Sequence, residues 1–368
     1  MFCFTMTKKK LLLLLFLTSL GLLLCIFHTT TEIKRSQLMI KSSKHEEPVV
    51  LSNEMKIACH NLWKKILSWN SLNKISPKDL IREVQLMKVC PWIQHLKNHN
   101  NYSLELQSCC NASHNLVLTK GNIKVGEKIT FEMETKKTRV VDEALYEMLP
   151  EGPLWSKTLG HCAVIGNGGI LRNSSCGEQI DQADIVIRLN LPPLNYTTDV
   201  GTKTDLVTAN PSILFKYNKL SYARKPFVQL MKSFGHAEVL MSAFTYAFCM
   251  EPSFRVYFTL QDFSLQHVSF LHPGYLSKLH KYWRSKGLKF KRLSSGMIMV
   301  SVAMELCSKV SLYGFWPFSF DLNGQPLMHH YYDNQPANRG MHAMPLEFLT
   351  FLQMHSKGML KVNLGRCS

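Results

Sequence analysis

The sequence predicts an α/β fold of Rossmann type, with a mostly parallel central sheet, placed behind an apolar N-terminal segment. Three observations carry that prediction. His161-Cys-Ala-Val-Ile165 is a short apolar strand that runs into the glycine turn Gly166-Asn-Gly-Gly169. Cys176–Asp181 follows as a short helix, and Ile185-Val-Ile-Arg-Leu-Asn190 returns as a second strand, completing a β-turn-α-β unit. Strand and helix patterns then alternate through 212–320. The 368 residues suffice for two average domains or one large α/β domain with extensions. At 46% hydrophobic and 19% charged, the chain is neither disordered nor a bundle of membrane helices.

Residues 1–10 form a short tail ending in Lys8, Lys9 and Lys10. Residues 11–27, LLLLLFLTSLGLLLCIF, carry no charge and span roughly 25 Å as a helix, enough for a thin early-secretory bilayer. The end of this run and the residue after it, Cys25-Ile26-Phe27-His28, offer no small-residue cleavage site, so the segment is read as an uncleaved signal-anchor. Basic residues flank it on both sides and leave orientation undecided by charge. The downstream cysteines, and the sequons at Asn101, Asn111, Asn173 and Asn195, place the bulk of the chain in the lumen as a single-pass type II protein.

Residues 28–56 are polar and aperiodic and read as a stem. Residues 57–159 form the N-terminal part of the lumenal region, with helix-like runs such as NLWKKILSW and PKDLIREVQLMKVC, in which Trp63 and Trp69 read as core residues. Eleven cysteines without a C-x₂-C pair point to an oxidising compartment rather than a zinc site. Cys109 and Cys110 are adjacent and are expected to pair elsewhere, with Cys59, Cys90 and Cys249 as available partners. Residues 160–368 hold the chemistry. Met297–Leu306 reads as a buried helix, and Pro345–Lys357 as a last helix with proline in its first turn and Gly358 past its end.

Lys plus Arg total 43 against 26 Asp plus Glu, a net charge of +17 that favours anionic partners. The turn at Gly166 is not a dinucleotide fingerprint, because the third glycine position is Leu171 and no carboxylate follows where the ribose would need one. Asn167 and Asn190, each at a strand end, can donate and accept together, which suits a nucleotide as well as an ordinary turn. A nucleic-acid partner is opposed by the sequons and by the lack of a basic-aromatic motif.

The run CAVIGNGGILRNSSCGEQIDQADIVIRLNLPP resembles the large sialyl motif of the animal sialyltransferases. Arg292 through Cys307, continuing to Leu312-Tyr-Gly-Phe-Trp-Pro317, resembles their small motif; His330-Tyr-Tyr-Asp333 the third; His342 with Glu347 the very small one. The four occur in the family's order from about residue 160 to the end, and GNGGIL, YGFWPF and HHYYDN are worded as in the α2,8-sialyltransferase branch. The resemblance implies a GT-A-like lumenal domain in the Golgi membrane. It also implies transfer of sialic acid from CMP-sialic acid, with inversion, to a sialylated glycoprotein or glycolipid.

On that resemblance His342 is the general base, its unperturbed pKa suiting a neutral, accepting imidazole. Glu347 either shares the site or organises the local fold. His330 would act on the leaving phosphate, helped by the hydroxyls of Tyr331 or Tyr332. Ser294, Ser295 and Gly296, at a helix N-terminus, would hold an anionic group of the donor or simply cap the helix. Gly314, Phe315 and Trp316 would line the nucleotide pocket or pack the core, and Asn210 joins Asn167 and Asn190 as a donor-site candidate. The family's disulfides map onto Cys162–Cys307 and Cys176–Cys367. No D-x-D occurs, so neither metal nor other cofactor is expected. Residues 120–160 carry seven basic and seven acidic residues, unlike the basic segment of polysialylating relatives. This favours addition of one or a few residues, to glycoprotein O-glycans first and gangliosides second. A homo-oligomer and a non-catalytic sialic-acid-binding protein stay open.

Overall fold

The computed structural model describes residues 52–155, 158–221, 224–335 and 343–367. The apolar segment 11–27, most of the stem and His342 lie outside the described residues. Among the described residues no helix is long and apolar enough to cross a membrane.

Three helices open the described chain: α1 (Asn53–Ser68), α2 (Pro77–Val89) and α3 (Leu96–Cys109). Each is amphipathic, burying one stripe such as Cys59, Leu62 and Ile66 of α1 or Leu80, Val84 and Met87 of α2. Ser76 caps α2 by accepting from the Asp79 amide, and Pro77 occupies the first helical position, where its missing amide costs nothing. A small antiparallel ribbon follows, β1 (Lys128–Thr130) with β2 (Thr138–Val140).

The central sheet has seven strands: β3 (Leu159–Ile165), β4 (Ile185–Arg188), β5 (Leu206–Ala209), β6 (Glu238–Met241), β7 (Val268–Phe270), β8 (Cys307–Tyr313) and β9 (Lys361–Asn363). All six pairings are parallel, in the order β7-β6-β5-β4-β3-β8-β9. The predicted parallel sheet is therefore present. A parallel sheet must be covered on both faces, and its strands are buried accordingly. Alternate residues face different cores: Cys162 and Val164 pack with α1–α3, while Ala163 and Ile165 pack with Cys176, Ile180 and Tyr331.

The connecting helices include α4 (Lys225–Lys232), α5 (Met250–Asp262), α6 (Pro273–Ser285), α7 (Ser295–Leu306) and α8 (Met344–Ser356). From Gly296 to Leu306 every residue of α7 is buried, as its unbroken apolar run requires, and the helix leads directly into β8. The chain winds from β3 outward to β7, then returns on the other side of β3 to lay down β8. The switch point between β3 and β8 is where an open parallel sheet leaves a crevice for ligands, at the carboxyl ends of its strands.

Cys162 is bonded to Cys307 and Cys176 to Cys367. The expectation for the adjacent cysteines is corrected. Cys59 bonds Cys90, tying α1 to the end of α2, and Cys109 bonds Cys110 across consecutive Cα atoms 3.8 Å apart. Two of the three supposed partners thus satisfy one another, and Cys249, the third, is a buried thiol.

Candidate active site

The end of β3 and the end of β8 meet backbone to backbone. Gly166 donates its amide to the Tyr313 carbonyl at 2.7 Å, and Gly168 donates to Gly314 at 2.9 Å. A Cβ on Gly166 or Gly168 would stand 2.7 or 2.5 Å from the Gly314 oxygen, and Gly314 itself has φ +72°. Only glycine permits this approach, which is why the turn carries glycine at these positions.

Asn167 lies between them. Its Nδ2 donates to the Leu189 carbonyl at 2.7 Å, tying the β3 turn to the end of β4, and its carbonyl accepts from Tyr331 at 3.0 Å. Its Oδ1 is buried and has no partner among the described residues. Buried polar atoms are nearly always paired, so a lone acceptor in a crevice suits a ligand donor.

Asn190, after β4, takes φ 59°, a left-handed conformation asparagine tolerates better than most residues. Its side-chain carbonyl accepts from the Asn210 amide at 3.1 Å, and Asn210 in turn accepts from the Ser295 hydroxyl at 3.2 Å. These contacts join the carboxyl ends of β4 and β5 to the first residue of α7.

Ser294 caps α7 by accepting from the Met297 amide at 3.0 Å. It is itself gripped by Glu347 of α8, whose two carboxylate oxygens accept from the Ser294 amide and hydroxyl. Glu347 is 2% exposed. Its charge complements the positive end of α7. Glu347 thus organises the local fold, one of the two roles open in the sequence. Gly296 lets Phe315 approach, since a Cβ there would fall 2.8 Å from the ring.

The third motif is stitched along the same turn. Gly168 and His330 form an antiparallel bridge, and Gly169 donates to the His329 carbonyl at 3.2 Å. His330 Nδ1 lies 2.5 Å from Asp333 Oδ2, the Asp333 carboxylate also accepts from the His330 amide, and the imidazole stacks on Tyr332. Burial would raise the Asp333 carboxyl, but the bonds from His330 hold it below its usual range. A carboxylate on Nδ1 fixes the tautomer and leaves Nε2 for a reacting group. Asp333 is quoted in the sequence motif without a role; its pairing with His330 emerges only from the fold.

Two candidates point away from the crevice. The Tyr331 hydroxyl donates to the Pro193 carbonyl at 2.8 Å, and the residue is 1% exposed. Trp316 donates to the Phe320 carbonyl and packs among Phe318, Phe320 and Phe348. Both side chains serve the core. Phe315 is half-buried against Phe351. Of the sequons, Asn101, Asn173 and Asn195 are exposed, while Asn111 is half-buried and accepts from the Ser113 hydroxyl. Among the described residues no three His, Cys, Asp or Glu side chains are grouped to hold a metal ion.

The fold and these contacts define an open parallel-sheet protein with a glycine-lined turn at the switch point between β3 and β8. The chain belongs to glycosyltransferase family 29, the sialyltransferases: the family model matches residues 114–359. It is 39% identical over 361 residues to alpha-2,8-sialyltransferase 8E of Rattus norvegicus, covering 95% of each chain. It is 44% identical over 295 residues to an alpha-N-acetylneuraminide alpha-2,8-sialyltransferase of Xenopus tropicalis, covering 79% of this chain and 85% of that one. A crystal structure of a mammalian sialyltransferase aligns at 17% identity and a TM-score of 0.40, covering 86% of this chain and 87% of that one.

Proposed function

We propose that this chain is a Golgi α2,8-sialyltransferase that transfers sialic acid from CMP-sialic acid, with inversion, to the terminal sialic acid of a glycoconjugate. The observation that carries this reading is the convergence of all the motif segments described on one crevice, in a chain about 40% identical to relatives named for that linkage. The nucleotide is assigned to the glycine turn, Asn167 and Asn190. The orphan Oδ1 of Asn167 supports this, since ribose hydroxyls and the cytosine amine are donors.

In the reaction the acceptor hydroxyl loses its proton to His342, and its oxygen attacks the anomeric carbon. The bond from that carbon to the phosphate breaks, and its electrons leave with CMP. His330, oriented by Asp333, is assigned to the departing phosphate oxygen, where charge develops. Ser295 and the first amides of α7 are assigned to an anionic group of the donor. No metal enters this scheme.

The test is transfer from CMP-sialic acid by the full chain in detergent, with EDTA present, to a sialylated O-glycoprotein, a monosialo-ganglioside and their desialylated forms. Transfer confined to sialylated acceptors and abolished in His342→Ala is expected, and the panel ranks O-glycan against ganglioside. Transfer to desialylated acceptors would overturn the linkage. A folded protein that binds CMP but neither transfers sialic acid nor releases CMP from CMP-sialic acid would be a binding protein instead.

A further inference from the structure

The loop after β6 carries a stacked pair of aromatic rings that faces solvent. Tyr246 and Phe248 have their ring centroids 5.3 Å apart and their planes only 16° from parallel. Phe248 is 65% exposed, whereas Cys249 beside it is buried. Tyr246 is half-buried. A phenylalanine left this far in water forgoes most of the burial that would stabilise it. Two parallel rings side by side turn that exposed area into one flat apolar face.

The segment that presents the pair is held on both sides. Glu132 and Met133, between β1 and β2, donate their amides to the carbonyls of Phe244 and Thr245. The Ala247 amide, between the two rings, donates to Glu134 at 2.7 Å, and the Cys249 amide donates to the Tyr246 carbonyl at 2.9 Å. A surface fixed in this way loses little freedom when it binds. The start of the loop borders the edge of the crevice: Ser242 lines a narrow notch together with Asn210 and Ser295. Tyr246 lies four residues further on. At about 4.8 Å per strand, β6 stands about 14 Å from β3. The donor is assigned to the ends of β3 and β4 and the start of α7, which leaves the β6 side for the trailing sugars of the acceptor. Phe258 and Phe263 are exposed as well, but they belong to α5. That helix joins the parallel strands β6 and β7, so it runs back toward their amino ends and carries Phe263 away from the ligand edge. Position, not exposure alone, sets Tyr246 and Phe248 apart.

We propose that Tyr246 and Phe248 form a stacking platform for the uncharged sugar that carries the acceptor's terminal sialic acid. The inference rests on the transferase reading above. A pyranose ring has a polar rim of hydroxyls and a face of C–H groups, and that face gains by leaving water for an aromatic surface. A lipid chain is matched by a groove that encloses it, whereas this surface is flat and open. The side chain bonded to the amide between the rings is an acid, Glu134, which suits a neutral sugar better than a second sialic acid. The platform selects the acceptor and takes no part in the bond-making step.

The experiment uses the full chain in detergent at saturating CMP-sialic acid, with three acceptors: the methyl α-glycoside of sialic acid, sialyllactose, and sialyllactosylceramide. The wild type is expected to prefer sialyllactose over the methyl glycoside by about tenfold in kcat/KM. Phe248→Ala should shrink that preference about three- to tenfold by raising the KM for sialyllactose with little change in kcat, the size of one lost aromatic contact. Phe248→Trp should keep it. Tyr246→Leu, which removes the other ring, reads the same ratio independently should Phe248→Ala not fold, and melting curves check folding throughout. A wild type that treats the two soluble acceptors alike, or a Phe248→Ala enzyme that weakens on both equally or on neither, overturns the assignment. A loss confined to the ceramide-bearing acceptor would put a lipid on the platform and overturn it too. A wild-type enzyme that transfers to no sialylated acceptor refutes the transferase reading itself. One that transfers, with the acceptor ratio unmoved in the variants, refutes only the platform.

Discussion

His330 and Asp333 sit three residues apart in a non-helical turn, with 2.5 Å between ring nitrogen and carboxylate. That pair decides what the imidazole can do, because the nitrogen held by the carboxylate is spent and the other is presented. Asp333→Ala is expected to lower kcat by about ten- to a hundredfold with the melting temperature little changed, within the usual range for a positioned acid–base group. Added to His330→Ala it should cost nothing further, since the two act as a unit. Initial rates at saturating CMP-sialic acid check both statements. His329 is the control: its ring neighbours His330, but the contact that matters is its backbone carbonyl, so His329→Ala should leave kcat nearly unchanged. The motif His330-Tyr-Tyr-Asp333 is legible in the sequence. That Tyr331 turns inward to Pro193 while Asp333 turns back to His330 is not, because only the antiparallel seating on Gly168 sets the alternation.

Helix α7 shows how much of an element can be read locally. Its apolar run predicts a buried helix, and Ser294 predicts its cap; the partner that grips the cap, Glu347 of α8, is 53 residues away. Its other end carries a second buried carboxylate. Glu305 accepts from the Ala112 amide at 2.6 Å, and burial pushes its carboxyl up to about 7. The folded state therefore holds the Glu305 proton more tightly than the unfolded chain does. The stability it contributes is full below the ordinary value of 4.5 and is lost as pH rises through about 7. Glu305→Gln, which keeps an acceptor for Ala112, should flatten that slope. Thermal melts at pH 5 and pH 8 should show a gain relative to wild type on the order of 1–3 kcal/mol at the higher pH only. Cysteine pairing marks the limit of local reading. The two pairs implied by the family resemblance join distant residues and are present, whereas spacing alone suggested that Cys109 and Cys110 would part.

At the scale of the molecule, periodicity identifies strands but does not order them. The site depends on β8 settling beside β3 after four other strands have been laid down on the far side. Cys162–Cys307 joins those two strands directly, and Cys176–Cys367 closes a loop of 191 residues that brings the C-terminus to the short helix after the glycine turn. Replacing Cys176 and Cys367 together by serine should cost about 2–5 kcal/mol in denaturant unfolding. The β3–β8 crevice is proposed to hold the nucleotide half of the donor. Hydrogen–deuterium exchange of the full chain, with and without CMP, tests it most directly. Slower exchange is expected in peptides covering 166–171, 189–190, 294–297 and 329–333. Protection absent from these segments, and confined instead to the polar pocket around Asn173 and Asn195, would contradict the account.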